Sequence, residues 1–142
     1  IPRRVTTQQN EVLIGEVLLD DVKAAVFGLD GDSAAGVDGF SGCFFCHCWD
    51  LVALDVFNAV WEFLIWVSIP KAIVNTLIVL IPKKEACSSF ANFRPKSLCT
   101  FINKIFTKVP SNWLKPLLPS LVLQEQSTFV QGCEISYNIL LA

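Results

Sequence analysis

The run Thr76-Leu-Ile-Val-Leu-Ile81, closed by Pro82, constrains this chain more than any other stretch. A continuous run of Leu and β-branched residues with no polar alternation fits a strand covered on both faces. Lys83 and Lys84 come next at its end, and a polar connector leads to Asn92. Phe93-Arg94-Pro95 then opens a plausible partner strand, Pro95 to Cys99, so the two form a ribbon. Folding back would bring Lys83, Lys84 and Arg94 near one another. Several cations on one stiff element suit a triphosphate or a nucleic-acid backbone. The alternative is a solvated hairpin tip, which is often basic.

The flanking segments read as helices. Leu18 to Leu29 places Val22, Ala25, Val26 and Leu29 on one face, with Asp20 and Asp21 near the start, where the helix dipole favours anions. Gly28 to Phe40, rich in Gly, Asp and Ser, reads as a loop. From Phe40 to Val67, Leu51, Leu54, Phe57, Trp61 and Leu64 recur at three- and four-residue steps, as on the apolar face of one or two helices. Phe101 to Val109 is a further helix, with Phe101, Ile102, Ile105, Phe106 and Val109 on its apolar side and Lys104 and Lys108 on the other. Pro110 is expected to stop it. Pro116 and Pro119 interrupt the next stretch, and Glu134 to Ala142 reads as the start of a helix. The expected organisation is a polar extension (1–17), a helical segment (18–74), and strands with helices (75–142), forming one incomplete α+β domain.

Composition narrows the class. Hydrophobic residues make up 53% and charged ones 17% of 142 residues, against about 25% charged in an ordinary globular domain. Such a chain spans a membrane, buries an unusually large core, or lacks the partner that covers its apolar faces. The longest runs free of Asp, Glu, Lys and Arg, Ala72–Pro82 and Gly39–Trp49, fall far short of the roughly 20 residues a spanning helix needs. No membrane partner is expected, and the absent-partner reading is preferred. The chain opens on Ile, contains no Met and closes inside Ile139-Leu140-Leu141-Ala142. Both ends therefore read as cuts in a longer frame, the alternative being a processed mature chain. Residues 1–62 carry three basic and ten acidic side chains, whereas residues 63–142 carry eight basic and three acidic. This asymmetry suits a molecule that offers only one face to a polyanion. No secretory signal precedes the six Cys, so reduced, buried thiols in an intracellular protein, nuclear or cytoplasmic, are expected.

Several motifs look chemical without meeting the requirements of the chemistry. Cys43-Phe-Phe-Cys46-His47 matches the haem-attachment pattern, and Cys48 tempts a zinc reading. Yet there is no second His and no Met, and adjacent His47 and Cys48 rarely both face one ion. No metal site is expected. Asp30-Gly-Asp32 begins like a calcium loop, but Ala34, Ala35 and Ser41 fall where a ligand, a Gly and a bidentate Glu belong, so it reads as a turn. With His47 alone, no hydrolytic triad can be assembled, and no catalytic residue is assigned.

Four blocks in order, TLIVLIPKKE, FANFRPKSLCTFINKIFTKV, LKPLLPSL and EQSTFVQG, resemble the N-terminal part of the reverse transcriptase of plant non-LTR (LINE-type) retrotransposons. The upstream segment VKAAVFGLDGDSAAGVDGFSGCFFCHCWD is similar to the segment that precedes the fingers strands in that family. The resemblance runs from about Leu18 to Ala142 and implies a partial right-hand polymerase fold, the fingers with the start of the palm. It implies phosphate and template contacts at Lys83 and Arg94, with Lys84 beside them. Gln126, Phe129 and Gly132 would lie against template and primer, and Gly36, Asp38 and Gly39 match a loop that usually reads PGPDG.

In the parent enzyme the partners would be an RNA template, a DNA primer and a deoxynucleoside triphosphate, and two Mg²⁺ ions would be held by palm Asp residues that have no match in this sequence. No cofactor is expected in the fragment itself. The sequence departs from the family at several positions. Ala35 and Val37 stand where Pro is usual, Lys96 where an apolar residue is usual, and Trp113 where Arg is common. Thr128, Cys133 and Tyr137 stand for a Gly, an Arg and an Asp, and Pro110 interrupts a continuous helix. The expectation is a reverse transcriptase fragment that binds template and incoming nucleotide and is inactive alone. The alternatives are a non-catalytic nucleic-acid-binding module and an inert pseudogene product.

Overall fold

The computed structural model describes residues 5–121. They form two compact units: Val17–Val109, and a smaller one made of residues 5–16 with 110–121. The expected template-facing residues Gln126, Phe129 and Gly132, the departures at Thr128, Cys133 and Tyr137, and the helix expected from Glu134 lie outside the described residues.

The larger unit is α+β. Helices α2 (Leu19–Phe27), α3 (Gly42–His47), α4 (Trp49–Leu64) and α5 (Lys71–Val74) precede strands β1 (Thr76–Pro82) and β2 (Phe93–Cys99), and α6 (Phe101–Leu114) comes after them, its residues as far as Val109 belonging to this unit. Helix α2 starts where the Asp21 carboxylate accepts the Leu18 N–H at 3.0 Å, and its expected face is buried at Val22, Ala25 and Val26. These side chains share a core with Phe45, Trp49, Val56 and Val60, and with Phe101, Ile105, Phe106 and Val109 of α6. Rings link the helices. Phe45 stacks on Phe101 with centroids 5.0 Å apart, Phe63 on Phe106 at 4.8 Å, and Phe27 meets Trp49 edge-on at 6.1 Å.

Helix α4 buries a different face from the one its periodicity suggested. Trp49, Val56 and Val60 point inward, whereas Leu51 is 83% and Leu54 68% exposed and Trp61 also reaches solvent. The helix is apolar nearly all round, so three- and four-residue spacings occur at more than one phase and periodicity cannot choose between them. Its C-terminus is closed by a Schellman turn: Val67 N–H donates to the Glu62 carbonyl at 3.0 Å and Trp66 N–H to Phe63 at 3.2 Å. The left-handed position, normally Gly, is taken by Trp66 at φ 64°, and its side chain is 93% exposed.

The expected ribbon is present as an antiparallel pair with Thr76 opposite Cys99 and Pro82 opposite Phe93. Its burial is not as expected. Every residue of β1 is exposed. The uninterrupted apolar pattern records a strand suited to cover on both faces, and no described element supplies that cover. The expected stop at Pro110 is also corrected, because α6 continues to Leu114 with Pro110 inside it. Pro110 has no N–H to reach the Phe106 carbonyl four residues back, and its ring crowds that carbonyl, together costing about 3 kcal/mol that the helix bears. Thr107 Oγ1 donates to the Lys104 carbonyl at 3.0 Å in the preceding turn.

In the smaller unit, α1 (Thr7–Leu13) forms in the segment expected to be a polar extension. A capping box explains it: Gln9 N–H donates to Thr6 Oγ1 at 3.2 Å, and Thr6 N–H donates to Gln9 Oε1 at 2.9 Å. Helix α7 (Leu118–Leu121) ends the described chain. No helix is long and apolar enough to cross a membrane among the described residues.

Candidate nucleic-acid interface

The ribbon's register decides which cations share a surface. Side chains directly opposite one another lie on the same face of a sheet, and alternate residues repeat it. Ile81 faces Arg94 and Val79 faces Lys96. Arg94 and Lys96 therefore stand on one face beside Val79 and Ile81, and both are exposed. Lys96 carries no desolvation cost, because its strand is open to water. Lys96 is thus a second cation next to Arg94. Its signal in the sequence is the two-residue step from Arg94, since residues two apart on a strand share a face.

Lys83 sits at the turn and is used differently from its neighbours. Its N–H donates to the Asn92 carbonyl at 2.8 Å, and its ammonium donates to the Ala91 carbonyl, also at 2.8 Å. It holds the connector back against the end of β1. The Cys87 thiol adds to this by donating to the Lys84 carbonyl at 3.1 Å. Lys84 is exposed at the tip. The ribbon thus carries Lys96 at mid-strand opposite Val79, Arg94 on the same face nearer the turn, and Lys84 in the turn that Lys83 braces.

The loop matched by Gly36, Asp38 and Gly39 is packed against the place where β2 becomes α6. A Cβ on Gly36 would lie 2.6 Å from both Cys99 C and Thr100 N, so only Gly allows this approach. Gly39 takes φ 75° and donates its N–H to the Gly36 carbonyl at 3.2 Å, closing a turn, and Asp38 Oδ1 accepts the Phe40 N–H at 3.3 Å. The Lys104 ammonium donates to Ser33 Oγ at 2.9 Å and to the Ala34 carbonyl at 3.3 Å, tying the loop to α6. Thr100, buried, completes the junction. Its hydroxyl donates to the Ile73 carbonyl at 2.7 Å and accepts the Asn103 N–H at 3.3 Å, capping α6. Motif spacing does not single out Thr100, although a Thr directly before an apolar helical run is a readable cap.

The Cys-rich segment has a local explanation. Asp30 Oδ1 accepts the Asp32 N–H at 3.0 Å, which makes Asp30-Gly-Asp32 an Asx turn. Cys43 Sγ donates to Asp32 Oδ1 at 3.4 Å. That hydrogen bond, with burial and the carboxylate's charge, raises the thiol pKa above its ordinary value. His47 Nδ1 lies 2.8 Å from the Cys43 carbonyl within the helix. Among the described residues no three His, Cys, Asp or Glu side chains gather as a metal site.

No protein-family model matches the chain. It is similar to the transposon TX1 uncharacterized 149 kDa protein of Xenopus laevis, 28% identical over 137 residues. The match takes in 96% of this chain and 10% of that protein, so the chain spans about a tenth of the relative's length. Across almost all of its sequence, the chain is therefore similar to a protein encoded by a transposon.

Proposed function

We propose that this chain is a retrotransposon-derived segment of a LINE-type reverse transcriptase, similar to those of plant elements. In this reading it is the fingers part that grips the phosphates of template RNA and of the incoming nucleotide. The observation that carries it is strand β2, whose alternation sets the exposed Arg94 and Lys96 on one face, with Lys84 exposed in the adjoining turn. Two exposed cations on a paired, stiff strand with a third in the turn beside them suit a polyphosphate, and Lys83 keeps the turn in place. The similarity to a transposon-encoded protein supports the retrotransposon origin. The exposed apolar faces of β1 support a place within a larger protein that covers them.

Polymerases of this class stabilise the attacking and leaving oxygens with two Mg²⁺ ions. The residues here supply binding and positioning, not that chemistry, so the isolated chain is expected to extend no primer. Binding is tested with labelled single-stranded RNA and the Lys84→Ala, Arg94→Ala and Lys96→Ala variants. Each is expected to weaken binding about equally across RNA sequences, by several-fold, while Lys71→Ala has little effect. RNA binding unchanged in the triple variant would remove the ribbon from the interface. Primer extension with Mg²⁺ would overturn the assignment of a binding role alone.

A further inference from the structure

A second surface of the larger unit has the opposite character to the ribbon. An open cavity of about 410 Å³ lies along α4, where Val52, Asp55, Val56 and Ala59 line one wall. These are the i, i+3, i+4 and i+7 positions of a helix, so the wall is a single stripe about 10 Å long at 1.5 Å per residue. Phe40, Phe44 and Phe45 form another wall, with Phe40 and Phe44 centroids 4.6 Å apart and Phe44 and Phe45 edge-to-face at 5.3 Å. Ala72 and Ile73, with Thr100 and Ile102, complete the lining. The size is that of a binding groove rather than a packing void.

The two ionisable side chains in the lining are both carboxylates, Asp38 and Asp55, and both are exposed. No Lys or Arg lines the groove. Eight of its twelve lining residues, both carboxylates included, come from residues 1–62, which carry ten acidic and three basic side chains. An apolar trough with carboxylates and no cation repels RNA and attracts a ligand that is apolar on one side and positive beside it. The trough runs straight along two helical turns, which suits a helix laid in a groove.

We propose that this groove docks a basic amphipathic helix of a partner polypeptide, its Leu- or Phe-type side chains seated among Phe40, Phe44 and Val56, and its Lys or Arg side chains meeting Asp38 and Asp55. The occupant is a protein segment, not nucleic acid, and the site does not rest on the ribbon's role. Its failure would leave the phosphate-binding proposal untouched.

The full chain is titrated against three labelled synthetic peptides of equal length, read by fluorescence anisotropy. One has Leu and Lys in helical amphipathic register, one replaces Lys by Glu, and one replaces Leu by Ser. Saturable binding of the Leu/Lys peptide alone is expected. The Asp38→Asn, Asp55→Asn double variant should weaken it about fivefold, as two exposed charge pairs would. Asp50→Asn, on α4 but outside the groove, should leave it unchanged. Ala59→Phe should fill the trough and abolish binding, with circular dichroism confirming that the helices persist. Equal binding of the Ser/Lys peptide would show attraction by charge alone, and equal binding of the Leu/Glu peptide unspecific apolar association. Either result overturns the proposal, as does binding unaffected by both the Asp and the Ala59 variants. Displacement of the Leu/Lys peptide by tetramethylammonium at low millimolar concentration would reassign the groove to a small cation.

Discussion

Replacing Thr100 by Val tests the junction on which the ribbon and the Gly36 loop depend. Val keeps the branched shape at a buried position and removes only the hydroxyl. Two hydrogen bonds are lost, the 2.7 Å donation to the Ile73 carbonyl and the 3.3 Å acceptance from Asn103 N–H. Loss of a helix cap costs about 1 kcal/mol. Leaving a partly buried carbonyl without its donor costs about 1–3 kcal/mol, and the lower part of that range applies because Ile73 is only half-buried. The total is about 2–3 kcal/mol, which in a unit of this size lowers the melting temperature by roughly 10–20 °C. Thr100→Ser is the control, since it keeps both hydrogen bonds and loses one methyl, at about 1 kcal/mol. Thermal unfolding monitored by far-ultraviolet circular dichroism separates the two. If Val and Ser at this position melt together, the hydroxyl does not hold α5 to the start of α6, and the junction is held by something else.

Other positions give sharper local outcomes. Gly36→Ala puts a methyl 2.6 Å from backbone atoms of Cys99 and Thr100 and should destabilise the fold by about 3 kcal/mol, measured by urea unfolding. Trp66→Gly should do the reverse, raising stability by about 0.5–1 kcal/mol in the same assay, because the left-handed turn suits Gly and the exposed ring loses little packing. At Cys43 the Asp32 carboxylate holds the proton on sulfur, so the thiolate fraction is reduced at neutral and mildly alkaline pH. Asp32→Asn should lower that pKa and speed iodoacetamide alkylation of Cys43, read by site-resolved mass spectrometry, with the gain shrinking as pH rises above the pKa of both forms.

The legible parts of this molecule are those where pattern admits one answer. Helices α2 and α6 alternate apolar and polar faces clearly, and Val22, Ala25, Val26, Ile105 and Phe106 are buried as that pattern demands. The two strands were legible because a short apolar run closes at Pro82 and a polar connector leads back to the expected partner, although β2 opens at Phe93, two residues before the expected Pro95. The buried face of α4 was not, since Leu51 and Val56 are equally apolar and only tertiary packing chooses Val56. Helix α1 carried a readable signal in Thr6 and Gln9, hidden by its lack of an apolar face. The candidate site divides the same way. A basic ribbon could be read from Lys83, Lys84 and Arg94. That Lys83 braces the turn depends on its contact with the Ala91 carbonyl, which the sequence does not state, whereas the pairing of Lys96 with Arg94 follows from their two-residue step once β2 is known to begin at Phe93.

The ribbon end is proposed to be a phosphate-binding surface, and the salt dependence of RNA binding measures that most directly. With Lys84, Arg94 and Lys96 each releasing a counterion from single-stranded RNA, log Kobs against log salt should fall with a slope of about −2. The triple Ala variant should flatten that line toward zero while keeping the wild-type circular dichroism spectrum. A wild-type slope near zero, or a steep slope that survives removal of all three cations, would contradict a phosphate-binding role for the ribbon.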